Sequence, residues 1–379
     1  MSSASQAATE FLDQVDWADV LDTLQAQKCV LFLGGGAYQL GAQELDAAIQ
    51  ASLGWPAANH PHIKHYNADG FVLLKKNRYR RHVATGLREF YSQAFPDTEL
   101  AFAQLARIPF HAIISLTPDN LLARTFDNLG LDYQQDFYFR NRKAPDQYEE
   151  PTADRPLIYN LLGNIEEPES LVLTHQDFFD YLNSVFNSSS MHEDLKLTLK
   201  SAERFIFLGL PYEKWYFQLL LRVLSLQADE LQEIERLALQ EFDNENLQKI
   251  YAGEFKLDFV PVGIGAFLDR LFRECDRANL IKEVVEQENV DDQGLNEEQL
   301  RELVAEAKTE AAMEQLKLRL KARQPRSNKL YTDLTVLRNR YKLLMQREMR
   351  GTIDSRDFSV ENAQIVEQLL ELINQSATL

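Results

Sequence analysis

The amino-acid sequence predicts an α/β fold, a doubly wound and mainly parallel sheet, followed by an all-α bundle. Three observations carry this prediction. Apolar runs of three to six residues, too short for helices, alternate with helix-period stripes over roughly the first 280 positions. Those runs are nearly continuous in apolar residues rather than alternating, as strands covered on both faces are. Beyond residue 280 the composition turns to charge-rich helical patterns.

Taken in order, residues 11–26 place Phe11, Leu12, Val15, Val20, Leu21 and Leu24 on a helical stripe. Cys29-Val30-Leu31-Phe32-Leu33 is a buried strand that ends in Gly34-Gly35-Gly36. A helix over 43–53 follows, and 54–62, with Pro56 and Pro61, forms a loop. Ala112-Ile113-Ile114-Ser115-Leu116 is the next clear strand. It runs into Thr117-Pro118-Asp119, where threonine suits an N-cap and proline the first helical position. The helix over 119–129 closes at Gly130. A looser stretch, 140–156, carries three prolines. Further strands are predicted at 157–161, 171–173, 205–208 and 257–262, with helices at 176–185, 193–202, 215–226 and 266–277.

The remainder divides by charge. Residues 283–314 hold 11 acidic and two basic side chains, and 317–350 hold 11 basic and two acidic. Helices are predicted at 297–320, 327–350, closed by Gly351, and 360–375. The domain expectation is therefore an α/β domain over 1–282, a linker over 283–294 and a helical domain over 295–379. A length of 379 residues suits two or three domains.

Composition excludes several classes. With 58 acidic and 40 basic residues the net charge is −18, which argues against a whole-chain nucleic-acid or anionic-membrane binder. The two cysteines, Cys29 and Cys275, cannot build a tetrathiolate zinc site and point to a reducing compartment. Residues 1–9 have no basic stretch leading into an apolar run, and no apolar run approaches the ~20 residues of a membrane helix. The expectation is a soluble cytoplasmic protein with no membrane contact.

Phe32-Leu33-Gly34-Gly35-Gly36-Ala37 is the strongest nucleotide signal. Glycines after a buried strand let backbone amides approach a phosphate, with a helix N-terminus behind them. The same glycines also suit a tight turn that only packs helix on strand. The dehydrogenase fingerprint is absent, since Gln39 stands at the third glycine position. So are a Walker glycine–lysine loop, paired histidines on one helical turn and a CxxC pair. His60, His62 and His65 cluster, but without a nearby cysteine they read as a polar loop beside Pro61 rather than a metal site.

The order of these pieces resembles the sirtuin-like domains of bacterial defence proteins, across residues 12–275. Gly34-Gly35-Gly36 corresponds to their Gly-Ala-Gly loop, and Ser115-Leu116-Thr117-Pro118-Asp119 to a strand ending in Thr-Thr-Asn-Tyr-Asp. Leu162-Gly163 stands at their His-Gly pair, Leu171-Val172-Leu173-Thr174 with Asp177 at an "LVLT" strand, and Ile206-Phe207-Leu208-Gly209 at a strand ending in glycine. The resemblance implies a Rossmann-like sheet that binds NAD and, if active, hydrolyses its nicotinamide–ribose bond. It places Thr117 and Asp119 at the catalytic positions and Gly34, Gly35, Gly36, Tyr38, Gly163 and Gly209 around the nucleotide, without a metal.

The departures are chemical. The family's catalytic Asn and His are Thr117 and Leu162 here, and losing one general acid or base costs about 10²–10⁴-fold in rate. His65, His82 or His111 is a possible stand-in. Tyr38 replaces a serine. The alternative implied is a catalytically degenerate scaffold or nucleotide-sensing oligomer.

The tail resembles the effector-associated helical domain of bacterial conflict systems. Leu330-Tyr331, Leu337-Arg338-Asn339-Arg340-Tyr341, Arg350-Gly351-Thr352-Ile353 and Glu367-Gln368-Leu369-Leu370-Glu371-Leu372-Ile373 carry that likeness. It implies recruitment by a partner protein carrying a matching domain, and homo-oligomerisation. The basic stretch 317–350 reads as a solvated face rather than a nucleic-acid site.

Overall fold

The computed structural model of the protein describes residues 3–41, 43–57, 59–139, 150–186, 193–225, 234–239, 245–284, 297–306, 308–322, part of 330–348 and 354–377. Two compact units divide after residue 285.

The first unit begins with α1 (Ser3–Leu12), α2 (Trp17–Gln25), β1 (Cys29–Leu33) and α3 (Leu45–Ser52). A hairpin of β2 (Ile63–Tyr66) and β3 (Val72–Leu74) precedes α4 (Arg80–Tyr91) and α5 (Pro96–Arg107). Then come β4 (Ala112–Ser115), α6 (Leu121–Leu129), β5 (Gln134–Phe137), β6 (Leu157–Asn160), α7 (His175–Phe186) and α8 (Glu193–Ser201). The unit ends with β7 (Arg204–Leu208), α9 (Trp215–Ser225), β8 (Glu235–Leu239), α10 (Glu245–Glu254), β9 (Leu257–Val260) and α11 (Ile264–Arg277). Among the described residues seven strands form one sheet in the order β5-β6-β4-β1-β7-β8-β9, and every pair is parallel.

This is the doubly wound, Rossmann-like sheet that the apolar runs predict. Alternate residues of one strand feed opposite cores: Leu31, Leu33 and Ile113 join one cluster, and Val30, Phe32 and Ile114 the other. Because successive side chains point to opposite faces, a strand with helices on both sides must be apolar at every position.

Several elements differ from expectation. The helix predicted over 11–26 is two helices. Asp16 breaks it, its carboxylate accepting the Asp19 amide at 3.1 Å to start α2. Residues 171–173 are not a strand, though Val72 donates to the Leu173 carbonyl at 2.8 Å. Edge strand β5, Gln-Gln-Asp-Phe, carries no apolar run, which hid it from the pattern. The hairpin, α4, α5, β8 and α10 were likewise unread.

The second unit contains α12 (Glu297–Ala305), α13 (Thr309–Ala322) and α14 (Ser355–Ala377). The single helix expected over 297–320 is thus two. Its core includes Leu300, Met313, Leu316, Leu337, Leu369 and Ile373. Of the predicted helix 327–350 only separate residues are described. The Gly351 closure, residues 285–294 of the predicted linker and 140–149 of the looser stretch lie outside the described residues.

Candidate functional site

Four adjacent strands end level with one another. Leu33 of β1 is in register with Ser115 of β4 and Leu208 of β7, and Ser115 with Asn160 of β6. The loops that follow place Gly34–Tyr38, Thr117, Asp119, Gly163 and Gly209 along one carboxyl edge. Ligands of open α/β sheets bind at such an edge, where the strand order reverses. Here the reversal lies at β1, with β4 on one side and β7 on the other.

The glycine turn is closed against its neighbour. The Gly34 amide donates to Leu208 O at 2.8 Å and the Gly36 amide to Gly209 O at 2.9 Å. Ala37 and Tyr38 amides bond back to Gly34 and Gly35 carbonyls. A Cβ on Gly34 would lie 2.2 Å from Gly209 O, and one on Gly209 2.2 Å from the Ala37 nitrogen. These glycines therefore let two loops touch backbone to backbone. Four amides of this loop, those of Gly34, Gly36, Ala37 and Tyr38, are therefore already spent. Gly163 serves the same end elsewhere, since its Cβ would meet Ser170 O at 2.3 Å. Gly35 faces only the Leu45 side chain.

Tyr38 does not line a phosphate pocket. Its ring sits in the core, edge-on to Tyr91, Phe95 and Phe102, with centroids 5.4–6.0 Å away. Burial first, then neighbouring Asp119 and Tyr91, hold its phenol well above the ordinary tyrosine value. Tyr91 is raised in the same way, by burial and then by Asp119, Tyr66 and Asp46.

Thr117 is not an N-cap. Its hydroxyl lies 3.0 Å from Ser115 Oγ, and its amide donates to that same oxygen. The helix starts later because Asp119 Oδ1 takes the Leu121 amide at 2.8 Å, an aspartate turn that replaces the predicted cap. Asn160 pins the loop from the next strand, its Nδ2 donating to the carbonyls of Thr117 at 3.0 Å and Asp119 at 2.8 Å. Sequence reasoning missed Asn160. A polar residue at the end of an otherwise apolar strand was the available signal.

Three buried polar groups lie on these elements: the Tyr38 phenol, the Asp119 carboxylate that it hydrogen-bonds, and Asn160 Oδ1, which has no hydrogen-bond partner among the described residues. Buried polar atoms are normally satisfied, so such a group marks a place for water or a ligand. Leu162 is half-buried and brings no proton-transfer group.

None of the proposed stand-in histidines joins this edge. His111 precedes β4 at its opposite end, six residues or about 20 Å from Thr117. Burial lowers it to about 4, so it is neutral at pH 7. His65 packs on Trp55, and His82 stacks on His62. His60 has both ring nitrogens engaged, Nε2 with Leu53 O at 2.7 Å and Nδ1 with the Ile63 amide at 2.8 Å. Among the described residues no group of three or more His, Cys, Asp or Glu is placed to hold a metal, and no helix is long and apolar enough to cross a membrane.

Comparison with known proteins adds the family. No curated protein sequence matches this chain. A solved structure described as "Structural Basis for the Mechanism and Regulation of Sir2 Enzymes" aligns at 12% identity over 69% of this chain and 98% of its own, with a TM-score of 0.35. Residues 111–256 match the model of the SIR2-like domain, which begins after the glycine turn, and residues 296–376 match that of Effector-associated domain 11. By these two matches the chain carries a SIR2-like domain followed by a C-terminal effector-associated domain.

Proposed function

We propose that the protein is a conflict-system effector component whose SIR2-like unit binds the carboxamide end of NAD, or free nicotinamide, without hydrolysing it. The C-terminal domain recruits a partner with a matching domain, and the assembly is homo-oligomeric. The observation that carries this reading is the buried polar group at the carboxyl edge, where the Tyr38 phenol bonds the Asp119 carboxylate and Asn160 Oδ1 is left without a partner among the described residues. The free Asn160 Oδ1 and the remaining capacity of the Asp119 carboxylate are acceptors, which suit a primary amide's NH₂ with its two N–H donors. The pyrophosphate end does not fit, because the Gly34 and Gly36 amides are committed to Leu208 and Gly209 carbonyls.

Hydrolysis has no support from the side chains. The Thr117 hydroxyl is paired with Ser115, and leucine occupies the family's histidine position. Calorimetric titration of the full chain with nicotinamide, NAD and ADP-ribose tests the proposal. Nicotinamide and NAD bind, ADP-ribose does not, and Asp119→Leu removes both signals. Absence of heat with nicotinamide and NAD would sink it. NAD loss from the triggered, assembled system would establish the hydrolytic reading instead.

A further inference from the structure

One surface of the first unit reverses the charge of the whole molecule. Residues 54–82 contain six basic side chains, one acid (Asp69) and four of the seven histidines, in a chain of net charge −18. They fold as the β2–β3 hairpin, the turn after it and the start of α4.

The cations there fall into two groups. Arg80 and Arg81 are neutralised, by Asp177 at 2.8 Å and Glu169 at 3.6 Å. Lys64, Lys75, Lys76 and Arg78 are exposed and have no carboxylate partner among the described residues. Their field is felt locally. The Tyr79 phenol is held below its usual value by Arg78, with Lys76 and Lys75 adding to it. An unpaired cluster of this sign on an acidic protein is a site for a polyanion.

Aromatic rings interleave with these cations. His62 stacks on His82 at 4.3 Å and meets Tyr79 at 4.9 Å, and the Arg78 guanidinium lies 5.3 Å from the Tyr79 ring centre. His65 is exposed beside Trp55 on the same hairpin. Next to them a cleft of about 480 Å³ is lined by three arginines, Arg78, Arg80 and Arg81, and three carboxylates, Glu169, Asp177 and Asp180, among others. That volume accepts one base or nucleotide. Its carboxylates accept from the amino and imino groups of a base edge and repel the side chains of an acidic peptide.

We infer that this basic, ring-bearing face binds single-stranded nucleic acid, phosphates on Lys64, Lys75, Lys76 and Arg78 and bases on the rings and in the adjoining cleft. The whole-chain charge does not oppose this, because contacts beyond about 10 Å are screened at 0.1 M salt. Four phosphate contacts give a salt dependence of log affinity with slope about −3.

The test is fluorescence anisotropy of the full chain with labelled 20-nucleotide single-stranded DNA and RNA, between 50 and 200 mM salt. Binding with a slope near that value is expected. The triple variant Lys75→Glu, Lys76→Glu, Arg78→Glu loses at least about tenfold in affinity at 50 mM salt and flattens the slope. Lys249→Glu on α10 leaves both unchanged, and circular dichroism checks that all variants fold. No binding of either oligonucleotide, binding unaffected by the triple reversal, or equal capture of a polyglutamate chain or of anionic lipid vesicles would each overturn the inference.

Discussion

His111 shows how far a side chain's surroundings can move it from its sequence identity. In the chain it is one of seven histidines and a possible proton carrier. Folded, it is 4% exposed and its value falls from 6.5 to about 4 because burial disfavours the charged form. The depressed value means that the unfolded chain takes up a proton below pH 6.5 while the folded one does not. Stability from this group is therefore complete above pH 6.5 and is lost as pH falls toward 4. Between pH 7 and pH 5 the loss is about 2 kcal/mol. Urea melts at the two values, compared with His111→Phe, check it. The variant shows a correspondingly smaller pH dependence. Residue types at the sheet edge were legible in the sequence, but their pairing was not. Thr117 beside Pro118 looked like a cap until Ser115, two positions back on the same strand, took its hydroxyl.

Among elements, the closed contact between the β1 turn and the loop after β7 is the least tolerant feature. Gly209 has φ +64, and a Cβ there would lie 2.2 Å from the Ala37 nitrogen and 2.5 Å from the Gly36 carbonyl carbon. Left-handed backbone costs an alanine about 1–2 kcal/mol, and the overlap adds a similar amount. Gly209→Ala is expected to destabilise by about 3 kcal/mol in chemical denaturation. Gly253→Ala on α10, where nothing lies within 4 Å, is the control and is expected to stabilise by up to about 1 kcal/mol. β1, β4, β6 and β7 were readable because full burial leaves a continuous apolar run. The hairpin β2–β3, with pattern Ile63 buried, Lys64 and His65 exposed and Tyr66 buried, offered only four residues and no long period. Its role as the base of a cationic face arises from the hairpin folding residues 54–82 back on themselves.

At the scale of the whole molecule, each unit has its own apolar core, the first on both faces of the sheet and the second among the helices. Separate cores imply separate folding. Pieces 1–282 and 295–379, produced alone, are expected to give cooperative thermal transitions by circular dichroism. A piece without a transition would show that its core needs the other. Within the second unit the charge segregation seen in sequence is used internally in part: Arg338 pairs with Glu314, and Arg340 bonds Gln368 at 2.8 Å.

By itself the sequence determined the fold class and the parallel sheet, since burial on both faces is written position by position. Only the tertiary structure decided what the glycines do. Whether an amide is free for a phosphate depends on which carbonyl lies opposite, and Gly34 and Gly36 meet carbonyls more than 170 residues away. The same holds for charge: a net −18 is a sum, whereas a binding face is set by which cations the fold leaves unpaired.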